Sequence, residues 1–101
     1  LKEIIRFDVS SLDAFINYTN TNQYLKDMKD VLVIYEADHI QDDIQMLRGH
    51  CFGRKWKVCP STSIMGSEAQ VVIIYDMKTI HFEALSRAVV QLIFVTTQNS
   101  Q

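Results

Sequence analysis

The sequence predicts an α/β domain of three layers, in which helices cover both faces of a mostly parallel sheet. Three segments, 31–36, 70–76 and 90–97, are nearly continuous apolar runs of strand length, without the alternation of a half-exposed strand. Such runs are typical of strands that are buried on both faces. Segments with the apolar spacing of helices lie between them, and strands that alternate with helices favour parallel pairing.

The first half of the chain is predicted to contain two strands and two helices. Residues 2–9 form the first strand, and either Ser10 or Ser11 caps the helix that follows, because a hydroxyl can accept a hydrogen bond from a free backbone N–H of the first turn. The apolar face of this helix consists of Leu12, Phe15 and Ile16. After the buried strand 31–36, a second helix is predicted from an N-cap at Asp38 to a stop at Gly49.

The second half is predicted to contain three strands and one helix. A short strand is predicted around residues 56–59. A helix over 79–88, capped by Thr79, is predicted between the two long apolar strands. The predicted order is β-α-β-α-β-β-α-β. Ligands of such sheets bind beyond the carboxyl ends of the strands. By this rule, a ligand would bind near the segments that follow Glu36, Cys59 and Asp76.

Length and composition indicate one domain, residues 1–101, of a larger intracellular protein. The chain has 101 residues, with 48% hydrophobic and 22% charged residues, which excludes a disordered class. It begins with Leu1 rather than a methionine, so we expect a fragment. No apolar run approaches the roughly 18 residues that a membrane span needs, and two cysteines are too few for a disulfide framework. We therefore expect a cytoplasmic or nuclear protein without a membrane partner.

Several kinds of chemistry are not expected from this sequence. It contains neither G-x-x-x-x-G-K-[ST] nor G-x-G-x-x-G, so a self-sufficient nucleotide-binding enzyme of the usual kinds is not expected. Cys51 and Cys59 are too far apart to form the close pair of a zinc site and are predicted to be reduced thiols. The acidic residues of 36–43 fall near the N-terminus of a predicted helix, where they favour the helix dipole and water rather than a metal.

A basic and aromatic segment, 48–57, leaves two interpretations open. Arg54, Lys55 and Lys57 could neutralise the backbone of a single-stranded nucleic acid, with aromatic side chains stacking on its bases. Alternatively, the segment is a solvated loop with Trp56 in the core. The net charge of −2 supplies no general attraction to nucleic acid, so any such contact has to be local.

Two motifs, each leading into a buried strand, carry a resemblance to a known family. The first, STSIMGSEAQVVII, contains Gly66-Ser67-Glu68, and the second, FEALSRAVVQLIFV, contains Ala84-Leu85-Ser86-Arg87-Ala88. In this order they resemble motifs V and VI of the superfamily-1 helicases, the UvrD-like and Upf-like group. The resemblance covers most of the chain as the C-terminal, RecA-like lobe, a P-loop NTPase-type fold, of such a protein.

The resemblance implies roles for individual residues. Arg87 matches the arginine that touches the γ-phosphate of ATP, and its planar guanidinium suits that task. Gly66 and Glu68 match positions next to the nucleotide, with Glu68 as the ribose contact. The nucleic-acid backbone is contacted at positions that match Ser61, Thr62 and Ser63. ATP and Mg²⁺ would be bound mainly by the N-terminal RecA-like lobe of the same parent chain, so no activity is expected of this domain alone.

Departures from the family pattern keep other interpretations open. Met65 stands where the family usually has Gln or Lys, and Val89 and Val90 stand where a basic residue is common. The parent could therefore have lost turnover, and the domain would serve as a protein-interaction or regulatory module of a larger signalling or defence protein. Arg87 could also be a helix-surface arginine paired with Glu83. A flavodoxin-like receiver domain has the right size but lacks a convincing acidic cluster.

Overall fold

The computed structural model describes residues 3–36, 38, 41–63, 68–78 and 87–97, except for the side chains of Phe7 and Val89. Five strands, two α-helices and one 3-10 turn lie in these ranges. They are β1 (Glu3–Val9), α1 (Leu12–Thr21), β2 (Val31–Tyr35), α2 (Gln41–Gly53), β3 (Lys57–Pro60), the 3-10 turn Ser61–Ser63, β4 (Ala69–Tyr75) and β5 (Ala88–Thr97).

The strands form one sheet in the order β1-β5-β4-β2-β3, and every neighbouring pair is parallel. The last strand in sequence, β5, lies between the first strand and β4. Glu3 of β1 and Val71 of β4 both pair with Gln91 of β5, so these three residues form one row across the sheet. The predicted α/β class with a mostly parallel sheet is confirmed, and the architecture is consistent with a RecA-like fold.

Both faces of the sheet carry apolar clusters, as continuous apolar strands require. Val31, Val33 and Tyr35 of β2 belong to one cluster, which the residues of α1 and α2 complete. Leu32 and Ile34 belong to a second cluster, which also contains alternate residues of β4 and β5. All five residues of β2 are buried, so the prediction of strands buried on both faces is confirmed.

Helix α1 begins as the sequence predicts. Ser11 is the N-cap, with an extended backbone, and its hydroxyl oxygen accepts a hydrogen bond from the N–H of Ala14 at 3.3 Å. Leu12 and Phe15 are buried against the sheet, where the Phe15 ring lies 5.0 Å from that of Tyr75, measured between centroids. Of the two candidate caps, the structure therefore selects Ser11.

Helix α2 ends later than the sequence predicts, because Gly49 lies within it. The buried stripe continues past Gly49 to Cys51, so ending the helix there would expose apolar surface. The helix ends at a Schellman motif: the N–H of Trp56 donates to the carbonyl of Cys51 at 2.8 Å, and that of Lys55 to Phe52 at 3.0 Å. Lys55 takes the left-handed position of this motif, with φ of 60°. The predicted stop at Gly49 is wrong.

The predicted helix over 79–88 is only partly testable, because 79–86 lie outside the described residues. Arg87 lies in a turn and Ala88 already belongs to β5, so the prediction of helix at 88 is wrong, and the strand starts before 90. Asp38, the predicted cap of α2, lies in a turn, and the described helix begins at Gln41. Within the described ranges, no helix has the length and apolar character that crossing a membrane demands.

Candidate functional site

The sequence-predicted residues lie at opposite edges of the sheet. Because all strands are parallel, their amino ends share one edge, here called the amino edge, and their carboxyl ends share the other, the carboxyl edge. Glu68 and Arg87 immediately precede β4 and β5, and Lys57 begins β3, so all three lie at the amino edge. The turn Ser61–Ser63 follows β3 and lies at the carboxyl edge. The general rule for ligands therefore selects the edge that carries Ser61–Ser63 and not the edge that carries Glu68 and Arg87.

Glu68 and Arg87 are brought together although they are distant in sequence. Ala69 pairs with Ala88 in the sheet, and the N–H of Ala69 donates to the carbonyl of Arg87 at 3.1 Å. The two residues therefore precede directly paired positions on neighbouring strands. Glu68 is exposed, whereas Arg87 is partly buried.

The Arg87 guanidinium contains a buried atom that has no partner among the described residues. Its Nε is buried and makes no hydrogen bond with the described part of the chain. A buried donor without a partner costs about 1–3 kcal/mol, and more when the group is charged. Such groups are rare in folded proteins and call for an explanation, of which an external ligand is one.

Lys57 contacts residues at the starts of two neighbouring strands of the amino edge. Its ammonium group donates to the carbonyl of Glu68 at 3.1 Å and lies 3.7 Å from a carboxylate oxygen of Asp30. The other carboxylate oxygen of Asp30 accepts from the N–H of Gln70 at 3.1 Å. Both side chains of the ion pair are about half exposed, so its energy is small, but the contacts join the starts of β2, β3 and β4. The structure thus gives Lys57 a position beside Glu68.

Arg54, predicted to contact nucleic acid, is engaged within the domain. Its guanidinium carbon lies 4.6 Å from the centroid of the Trp56 ring. Its Nη atoms donate to three carbonyls and one amide oxygen, those of Thr19, Leu25, Lys26 and Asn20. Trp56 is buried and donates to the carbonyl of Met28 at 3.1 Å. The burial of Trp56 agrees with the second interpretation, but residues 48–53 belong to α2 and not to a loop. Of the neighbours Arg54 and Lys55, only Lys55 has an exposed side chain.

The other predicted nucleic-acid contacts lie in an accessible turn. Ser61 is half-buried, while Thr62 and Ser63 are exposed at the carboxyl edge. Gly66, predicted to lie next to the nucleotide, is outside the described residues. Its role therefore stays a prediction, as does the binding of nucleic acid by the hydroxyls of the turn.

Carboxylates at the carboxyl edge serve the fold. Asp76 is buried, and one of its carboxylate oxygens accepts from the N–H of Thr97 at 3.0 Å. Glu36 accepts from the N–H of Lys78 at 3.0 Å. Across ranges 3–36, 41–63, 68–78 and 87–97, no three His, Cys, Asp or Glu side chains are grouped so as to hold a metal ion. The acidic residues that follow β2 and β4 are thus used to fix the ends of the strands.

A cavity of about 620 Å³ is the feature that sequence reasoning missed. It lies towards the amino edge, between the sheet and the segment 18–29, and the early residues of β1, β4 and β5 form its floor. Ligand sites commonly have volumes of roughly 300–1,000 Å³. The one hint in the sequence was Gln91, which interrupts the apolar run of β5 and faces this cavity.

Comparison of the chain with protein-family models, curated proteins and solved structures finds no match. Two features of the amino edge bear on the function. One is the neighbouring pair of Glu68 and Arg87, and the other is the cavity that lies towards the same edge.

Proposed function

We propose that this domain is the second RecA-like lobe of a helicase-like ATPase. It would close over ATP and Mg²⁺ held by the N-terminal lobe of the parent chain and contact single-stranded DNA or RNA. The observation that carries the proposal is the pairing of Ala69 with Ala88, which sets Glu68 beside Arg87. The helicase resemblance selects the same two residues from separate motifs.

The chemistry of the pair suits the phosphate and sugar of a nucleotide. A guanidinium offers planar, paired donors to phosphoryl oxygens and stabilises the negative charge that develops on them in the transition state. The Nε of Arg87 has no hydrogen-bond partner among the described residues, and this supports the role, because a phosphate oxygen would supply an acceptor. The exposed carboxylate of Glu68 accepts hydrogen bonds from ribose hydroxyls. The ammonium group of Lys57 holds the backbone of Glu68 in place through its hydrogen bond to the Glu68 carbonyl.

The nucleic-acid contacts of this proposal lie at the other edge of the sheet. The turn Ser61–Ser63 leaves β3 at the carboxyl edge, and the chain returns to the amino edge at Glu68. The connection 61–68 therefore links the hydroxyls proposed for nucleic acid to the carboxylate proposed for the nucleotide. Such a short covalent connection is a direct route by which nucleic acid would stimulate ATP hydrolysis.

The test is the ATPase rate of the full-length parent, with and without single-stranded nucleic acid. Arg87→Ala is expected to lower the stimulated rate by roughly 10³-fold or more, the scale of arginine fingers. Arg87→Lys is expected to stay low, because the ammonium group lacks the paired donors. Lys26→Ala, which removes an exposed cation elsewhere, is the matched control. An Arg87→Ala protein as active as the wild type would refute the proposal.

A second candidate is a catalytically inactive, helicase-like module that binds a protein in a larger signalling or defence protein. It is favoured by the internal use of Arg54, which removes a cation from the surface, and by the exposure of Phe52, of which 85% is accessible. A wild-type parent without ATPase activity would favour this candidate. Loss of partner binding on Phe52→Ser, with unchanged unfolding temperature, would then locate the interface.

A further inference from the structure

The cavity described above has an apolar interior, with the amide side chains of Gln70 and Gln91 among the residues of its floor. Ile5, Leu25, Met28 and Ile93 contribute apolar side chains to the lining. Gln91 lies on an inner strand, between Glu3 and Val71 of the same row. It is half-buried, and its side chain lines the cavity.

The amide of Gln91 faces an open cavity and is not enclosed by the protein. It can therefore exchange hydrogen bonds with water for hydrogen bonds with a ligand. The preceding and following residues of β5 are apolar, so an aliphatic side chain would complete the strand as well. Gln91 therefore offers a donor and an acceptor to a molecule that enters the cavity.

We propose that the cavity binds a planar nitrogen heterocycle of the nucleobase type, read by the amide of Gln91. A carboxamide presents an acceptor and a donor side by side, and the complementary ligand edge has a donor next to an acceptor. The amino group and N7 of adenine form such an edge, and glutamine binds it through two hydrogen bonds.

The rim of the cavity fits the same class of ligand. Tyr24 lies at the rim with 73% of its side chain accessible, so its ring is free to stack on a planar ligand. Glu3 and Lys29 place one charge of each sign at the opening, which favours a ligand without net charge. The inference is separate from the proposed contacts of Arg87, because a nucleoside without phosphate suffices to test it.

The test is an NMR titration of the 101-residue chain with adenosine, following backbone amide signals. We expect shifts at the cavity-lining residues, and about tenfold weaker binding of purine riboside, which lacks the 6-amino group. Gln91→Met keeps the length of the side chain and removes the amide, so it is expected to bind both nucleosides equally weakly. Gln45→Met, on the exposed face of α2, is the matched control and is expected to behave as the wild type.

Three outcomes would overturn the inference. One is the absence of localised shifts at millimolar adenosine. Another is equal binding of adenosine and purine riboside by the wild-type chain, a comparison that needs no variant to fold. The third is a loss of binding in Glu68→Ala with none in Gln91→Met, which would move the nucleoside to the amino-edge pair of the proposed function.

Discussion

The imidazole of His50 donates a hydrogen bond from Nε2 to the hydroxyl oxygen of Thr19, at 2.8 Å. The direction follows from the partner, because the Thr19 hydroxyl already donates its own hydrogen to the carbonyl of Ile16 at 2.7 Å. Thr19 is fully buried, and the imidazole meets the edge of the Trp56 ring with centroids 6.0 Å apart. Burial, and secondarily the charge of Arg54, lowers the pKa of His50 below its usual value.

We expect this histidine to make the stability of the domain depend on pH. Its pKa is lower in the folded state than in the unfolded state, so the unfolded chain takes up the proton first. The contribution of His50 is therefore complete above about pH 6.5, the unfolded value, and is lost as pH falls through the lowered folded pKa. Urea unfolding between pH 5.5 and 7.5 measures the effect.

His50→Gln is the variant that isolates the titration. Its amide can still donate to Thr19 but does not ionise, so the free energy of unfolding is expected to fall less steeply with acidification than in the wild type. Equal slopes for the two proteins would show that His50 does not contribute.

Arg54 is expected to be a major stabilising residue rather than a ligand contact. Its guanidinium joins the end of α2 to carbonyls of α1 and of the following segment, and stacks on Trp56. Arg54→Ala is expected to lower the free energy of unfolding by about 2–4 kcal/mol, because several charge-assisted hydrogen bonds are lost together. Arg54→Lys should restore less than half of the lost free energy of unfolding, since one ammonium group cannot replace the planar set of donors of the guanidinium. A loss under 0.5 kcal/mol in chemical denaturation would contradict this role.

Lys55→Gly is expected to stabilise the domain. Lys55 occupies the left-handed position that ends α2, where a side chain is strained and glycine is not. The gain is expected to be about 0.5–1 kcal/mol after the extra backbone entropy of glycine is subtracted. Lys55→Ala keeps the Cβ atom and should leave stability nearly unchanged. If alanine stabilised as much as glycine, charge rather than backbone strain would be the cause.

Cys51 is expected to be chemically inert in the folded protein. It is fully buried, and burial raises the pKa of its thiol to about 12 from 9.0. At pH 8 its thiolate population is then roughly 1,000-fold lower than that of a free thiol. Iodoacetamide labelling, followed by mass spectrometry, should modify Cys51 only after denaturation, whereas the half-buried Cys59 should react slowly in the folded state. Equal labelling of both thiols without denaturant would contradict the burial.

The strands were predictable because a strand that is buried on both faces has apolar residues at nearly every position. Every residue of β2 is buried, and its sequence is apolar throughout. The end of α2 was not predictable in the same way. Gly49 has no special backbone role there, while Lys55 takes the position that glycine usually fills, because Trp56 must turn back towards Cys51.

The candidate site was predictable only through the motifs. Glu68 and Arg87 come from separate segments, and only the pairing of β4 with β5 makes them neighbours. The partners of Arg54 lie in and after α1, far earlier in the chain, so no local pattern indicates that its guanidinium is used internally. The cavity depends on how the segment 18–29 lies over the sheet, and periodicity alone does not describe that arrangement.

The position of β5 between β1 and β4 also governs how the domain forms during synthesis. Of the five described strands, β5 is the last in sequence, and it must insert between β4 and β1. Pairing of such distant segments is slow, and unpaired strand edges attract other chains while it is pending. Among the described strands, a nascent chain that lacks β5 therefore leaves β1 and β4 each with an unpaired edge. Translation pauses just before this strand would lengthen its exposure to chaperones and to aggregation.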